Sequence, residues 1–376
     1  MKKHLCLFAC VILFAGCNFP KVASVVNAQY EMDIDPSKSK VLDFSETTDF
    51  VKYVPLETTE ESLIKHVEKM FISDSLVIVF DDMLGEIFLF NQEGKYRGKC
   101  GKKGEDPGEH IVFNDLFFDK NAELIYAHEA MKRVMYVYNL SGDLIREIPT
   151  SHIWFRSFCK VNDGYWIYTG YNNENTGNCL LKVNEDFAVV GGWLPQKEFF
   201  RTAIHSTFVQ KEDEQYFISP YSNIIYRIYN DSIAPYVKIG FGNKTLPYEK
   251  MAVMSENEYN GLVENGSYWG DLGNFLFCRN RLYFTFSEIA EHSVQYSACY
   301  DTASNQANVY GSYSPYHKKN FKFVDVTFML PKATFGNQLV FLVYPYDLQE
   351  KDMRILQEDA RYRMDLDSNP ILFFVE

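Results

Sequence analysis

Along most of the chain, apolar and polar residues alternate in short runs separated by Gly, Asn, Asp and Ser, the period-two signature of β-strands. From Val67, "VEKMFISDSLVIVFDDMLGEIFLFNQEGKYRGKCG" holds four such runs. The first ends at a Ser-Asp turn, and strands follow at Leu76–Phe80, Ile87–Phe90 and Tyr96–Cys100. The next stretch, "FNDLFFDKNAELIYAHEAMKRVMYVYNLSGDLIREI", repeats the order at Asp115–Phe118, Leu124–His128, Val134–Tyr138 and Leu144–Ile148. The phrase "GEIFLFNQEGKYRGKCG" returns as "RVMYVYNLSGDLIREIP": strand, glycine turn, strand, which signals a hairpin. Four short strands in roughly 40–45 residues is the spacing of a propeller blade.

Weaker copies run over Phe155–Trp193, His205–Ile239 and Gly273–Tyr310. A sixth begins at Phe321–Phe328 and continues at Gln338–Tyr344, which leaves it two strands short. "NPILFFV" at Asn369–Val375 and "SKVLDFSETTDFVKYVPLE" near the start can fill those places. Joining them would close the ring and remove its exposed sheet edges. The pattern therefore predicts an all-β chain: a six-bladed β-propeller closed by strands from both termini. Short helical insertions are expected within Pro247–Gly266 and Asp347–Met364.

The chain resembles bacterial secreted or lipid-anchored six-bladed propellers related to NHL-repeat proteins. The resemblance rests on "YVPLETTEESLI" (Tyr53–Ile64), "IFLFNQEGKYRGKCGKKGEDPGE" (Ile87–Glu109) and the terminal "DSNPILFFV". The family's usual turn is G-x-x-G-x-G-P-G-E, and Asp106 stands here at its third glycine. The resemblance implies a fold far more firmly than an activity. It also implies a rival class, since some related propellers are lyases or lactonases with a divalent cation, such as calcium, in the central channel.

The first residues change the setting. "MKKHLCLFACVILFAGC" has Lys2 and Lys3, an apolar run from Leu5 to Phe14, then Ala15 and Gly16. That is a signal peptide, too short for a permanent membrane span. "LFAGC" resembles a lipobox, which would make Cys17 the lipidated residue, although Phe14 stands where Leu is usual. Residues 1–17 are thus expected to be a lipoprotein leader, 18–37 a tether and 38–376 the propeller. The expected location is the cell envelope, anchored in the outer membrane and facing either the periplasm or the surface. The lipid would be the only membrane contact, and the propeller is expected to be a monomer.

Five cysteines remain beyond the leader: Cys100, Cys159, Cys179, Cys278 and Cys299. Five is odd and no C-x-x-C pair occurs, so most read as small buried apolar residues, with room left for one incidental disulfide. The formal net charge of −13, with no basic cluster, argues against nucleic acid as a partner.

Candidate chemistry is sparse. "GKKGEDPGEHIVF" leads into a strand, carries no G-K-S/T and lacks calcium-loop spacing, so it reads as a corner between two blades. Aligning the inner strands puts Glu68, Asp115, Arg156, His205, Asn274 and Asp325 at equivalent positions around a channel mouth. Such a ring suits a ligand, or a calcium-like cation held by its oxygen atoms. Trp154, Trp166, Trp193 and Trp269 could stack on sugars, with Arg156 beside Trp154 the first patch to inspect. No nucleophile elbow or H-E-x-x-H helix occurs, so no catalytic residue is assigned, and the one cofactor in view is a divalent cation such as calcium in the central channel. The leading expectation is a binding or scaffolding module that recognises a glycan or an envelope protein through one propeller face. The alternative is the cation-dependent enzyme.

Overall fold

The computed structural model describes residues 27–39, 50–150, 153–170, 177–195, 208–219, 222–251, 254–265, 268–270, 272, 274–289, 295–312, 319–320, 325–326, 330–348, 354 and 364–376. These form a six-bladed propeller, each blade an antiparallel sheet ordered from the channel outward. Blade one is Lys69–Ile72, Leu76–Asp81, Glu86–Asn91 and Tyr96–Lys99. Blade two is Asp115–Asp119, Leu124–Glu129, Val134–Tyr138 and Leu144–Pro149. Blade three is Ser157–Val161, Gly164–Tyr168, Asn178–Val183 and Val189–Pro195. Blade four is Phe208–Lys211, Glu214–Ile218, Ile224–Ile228 and Ile233–Gly240. Blade five is Phe275–Cys278, Arg281–Ile289, Gln295–Asp301 and Gln306–Ser312. Blade six is Ala333–Phe335, Gln338–Val343 and Ile371–Val375, with Phe50–Pro55 from the N-terminal side outermost.

The middle strands are apolar without a break because both of their faces are buried. In "LVIVFD", Val77 and Val79 pack toward blade six while Ile78 and Phe80 pack toward blade two. Leu372 and Phe374 likewise face blade one, and Ile371 and Phe373 face blade five. Each fully buried side chain of this size contributes roughly 1.5–3 kcal/mol. All five cysteines are buried thiols, as their count and spacing suggest.

The outer hairpins share one device. Asn91 Oδ1 accepts the N–H groups of Glu93 and Lys95, Asn139 those of Ser141 and Asp143, and Asn184 those of Asp186 and Ala188. The left-handed position that closes the turn is Gly94 or Gly142 in the first two blades but Phe187 in the third, at φ 58°. Every blade also carries a register shift between its two outer strands, which increases twist at the rim.

Ring closure joins the two terminal motifs. Buried Asn369 accepts from the Ile64 N–H at 2.8 Å and donates to the Glu57 and Ser62 carbonyls, both at 2.8 Å. "DSNPILFFV" and "YVPLETTEESLI" therefore hold each other in place. The glycine turn is a corner between blades one and two, with Gly101 at φ 66° and Gly108 at φ 82°.

Two details differ from the sequence reading. The inner strand of blade six is Ala333–Phe335, not Phe321–Phe328; of the latter, the described residues Asp325–Val326 pair with Lys319–Asn320 in a separate ladder. A three-residue strand is too short to show an alternating pattern. Tyr30–Asp33 lies inside the stretch expected to be tether, yet it adds a parallel fifth strand to blade four beside Val237–Gly240. Tyr30 meets the rings of Tyr236 and Tyr300 edge-on, so this segment ties blade four to blade five. The insertion before blade five holds two helices, Tyr248–Met251 and Glu256–Asn265. Ser255 and Glu258 cap the second reciprocally, Glu258 accepting the Ser255 N–H at 2.8 Å. Most of the other expected insertion, Asp347–Met364, lies outside the described residues.

Candidate functional site

The inner strands start on one face of the ring, here called upper, and end on the lower face. Crossovers between blades and the turns between second and third strands therefore lie above. A cavity of about 590 Å³ runs along the axis. Inner strands of blades one, four, five and six wall it, with Phe118 and Lys120 from blade two; among the described residues blade three contributes none. Below, Asn121 of blade two donates to Asp213 of blade four at 2.7 Å, so these blades meet across the third.

The lining is basic although the chain is acidic. Lys69, Lys120, Lys211, Arg279 and Lys332 contribute cations, against Glu68 and Glu212. Lys69, Lys332 and Glu68 lie toward the upper mouth, and Lys120, Lys211 and Arg279 toward the lower. Phe71, Phe118 and Phe277 supply apolar wall between them.

The cations differ in their partners. Lys69 Nζ lies 2.6 Å from Asp115 Oδ1, with side-chain exposures of 9% and 4%. The other Asp115 oxygen accepts the Phe158 N–H at 2.9 Å. One carboxylate thus joins blades one, two and three. Burial pushes the Asp115 carboxyl up, and the Lys69 ammonium pulls against that shift. Arg279 pairs with Glu376 at 3.0 Å, and Lys211 lies over the Phe277 ring. Lys332 is partly buried and has no side-chain hydrogen bond or ion pair among the described residues. Burial lowers its ammonium from the usual lysine range, while the charges of Glu68 and Asp82 oppose that shift.

The residues aligned from sequence separate into several environments. Glu68 and Asn274 line the cavity. Asp115 stands behind the wall, engaged by Lys69. Arg156 is outside the cavity on the upper face, its guanidinium 5.3 Å from the centre of the Trp154 ring. Asp325 belongs to the short separate ladder, so its alignment with an inner strand is corrected. His205 and Cys17 lie outside the described residues. The basic residues carry no pattern of their own in the sequence: Lys69 directly follows Glu68, and Lys120, Lys211 and Arg279 sit at the inner-strand turns, where polar residues are ordinary.

Among the described residues, the compact group of metal-ligating side chains is His66, Glu68 and Asp82 at the upper rim, with ligand atoms within 4.8 Å of one another. His66 Nδ1 is already 2.6 Å from Asp82 Oδ1. Of the four tryptophans, Trp166 is fully buried and donates to the Tyr229 carbonyl at 3.0 Å. Trp193 packs against it, and Trp269 is buried. Trp154 alone of the four is exposed, at 43%. The upper loops also expose Leu63, Met83, Met131, Tyr346 and Leu366.

Fold and channel define the class: a six-bladed propeller with an axial cavity and exposed apolar side chains in its upper loops. The chain belongs to the family described as "Domain of unknown function (DUF4934)", which spans residues 29–376. No curated protein matches it. Among solved structures it is similar to a protein of Bacteroides fragilis described as exported, at 14% identity and TM-score 0.69, covering 92% of this chain and 98% of that one. A DUF4221 family member from Bacteroides vulgatus follows at 8% identity and TM-score 0.52, covering 88% and 97%. Streptogramin B lyase matches at 12% identity and TM-score 0.39, over 72% of this chain and 89% of that one. These likenesses concern the fold.

Proposed function

We propose that this protein is an exported, lipid-anchored binding module of the cell envelope that docks a protein partner on its upper face. The observation that carries this reading is the placement of exposed large apolar side chains. Among the described residues nine are exposed, and six of them, Leu63, Met83, Met131, Trp154, Tyr346 and Leu366, lie in upper-face loops. Methionine, tryptophan and tyrosine adapt to and anchor protein interfaces, and loops on a rigid scaffold are the usual carriers of recognition. The basic start, apolar run and Cys17 of the leader support export and anchoring.

Photo-crosslinking residues at Met83 and Met131, compared with Ile145 and Val190 on outer strands, test the reading in the native envelope. Upper-face positions should give one discrete protein adduct that the rim positions lack. Equal labelling from both sets would overturn it. A glycan reading draws on Trp154 and Arg156, and a glycan array probed with wild type and Trp154→Ala separates it from protein docking. The cation-dependent enzyme would draw on His66, Glu68 and Asp82, and about one bound metal ion per chain of purified protein would favour it.

A further inference from the structure

The geometry points to a second, separate site: the axial cavity binds a small organic anion with an aromatic or aliphatic body, its charge held by Lys332. Three observations carry this. First, the lining has a basic excess within a chain of formal net charge −13, so the channel's charge opposes that of the whole molecule. Second, the partners of these cations are unequal. Asp115 neutralises Lys69 and Glu376 neutralises Arg279, whereas Lys120, Lys211 and Lys332 have no carboxylate partner among the described residues; Lys120 is exposed and Lys211 lies over the Phe277 ring, which leaves Lys332 as the desolvated cation without a partner. The more distant charges of Glu68 and Asp82 only oppose the burial of this ammonium without pairing with it; a partly desolvated ammonium without a direct partner is costly, and an incoming anion removes that cost. Third, Phe71, Phe118 and Phe277 line the same space, and about 590 Å³ is within the usual range for small-molecule sites. An anion with no apolar body would leave those walls unused, and an apolar molecule with no charge would leave Lys332 unpaired.

The probes are 2-naphthoate and its uncharged analogue 2-naphthamide, titrated calorimetrically into the purified mature chain. Naphthoate should bind at least about tenfold more tightly than naphthamide. Lys332→Met should abolish that preference and leave naphthamide binding unchanged, while Lys332→Arg should retain it. Circular dichroism checks each fold, and Lys332→Gln replaces the methionine variant if that fails to fold. Equal affinity of wild type for the two probes, or a preference that survives loss of the Lys332 charge, would overturn the assignment. Binding of neither probe would overturn it as well. None of these outcomes bears on the upper-face crosslinks, so the two sites fail or stand separately.

Discussion

Lys69 and Lys332 occupy nearly the same place in neighbouring blades, yet one is built into the structure and the other is left over. Lys69 opens the inner strand of blade one, and Lys332 immediately precedes that of blade six. Both line the cavity near its upper mouth. Lys69 meets Asp115, which also accepts the Phe158 N–H, so its charge holds three blades in register. Lys332 meets no carboxylate at ion-pair distance among the described residues. The difference is a rule for reading such channels: a paired cation is architecture, and an unpaired one is a place for a ligand.

The largest expected effect is on the paired member. Lys69→Met strands a buried carboxylate, and unfolding in denaturant should show a loss of about 3–5 kcal/mol. Lys69→Met combined with Asp115→Asn should recover most of that, because the amide oxygen still accepts from Phe158 while both charges are gone. A double variant as unstable as the single one would show that the pair is not what holds these blades together.

Buried histidines extend the comparison to groups that carry no charge. His110 stacks on Phe113 and His128 on Phe155, with centroids 3.9 and 3.8 Å apart. Neither ring nitrogen of His110 has a partner, nor does Nδ1 of His128. Burial lowers His110 to about 4 and His128 to about 3. Below about pH 6.5 the unfolded chain binds protons that these folded rings refuse. Their contribution is therefore complete above that pH and is lost as pH falls toward the folded values. His128→Phe should flatten the acid limb of a stability–pH curve by up to about 3 kcal/mol at pH 4 relative to wild type. Glu129, whose carboxyl burial pushes up, acts in the opposite direction, so the variant-minus-wild-type difference is the quantity to measure. Parallel curves for the two proteins would mean that His128 takes up its proton alike in the folded and unfolded chains.

Much of this ring was legible because blades one and two repeat the same hairpin phrase and keep its asparagine turn. The closing strands were legible because "NPILFFV" and the stretch before Glu57 were left over while blade six was two strands short. Ala333–Phe335 was not, since three residues cannot display a period. Tyr30–Asp33 was not either, because its parallel partner lies some two hundred residues away and local pattern carries no trace of it. For the site, position around the channel could be read at Glu68 and Asn274, but pairing could not. Asp115 and Lys69 consume each other only in three dimensions, and that subtraction is what exposes Lys332.

The smallest expected effect then falls on the residue of greatest functional interest. Burial lowers the Lys332 ammonium, so at neutral pH its charge opposes folding rather than supporting it. Lys332→Met should leave stability unchanged or raise it by about 0.5–1 kcal/mol, measured by denaturant unfolding at pH 7. A structural lysine would behave like Lys69 and lose several kcal/mol. A stability gain accompanied by loss of the naphthoate preference would place Lys332 among residues kept at a cost to the fold, which is the pattern of a binding group. A large stability loss would instead reveal a counter-charge for Lys332 in the folded chain, and the contrast between the two lysines would collapse.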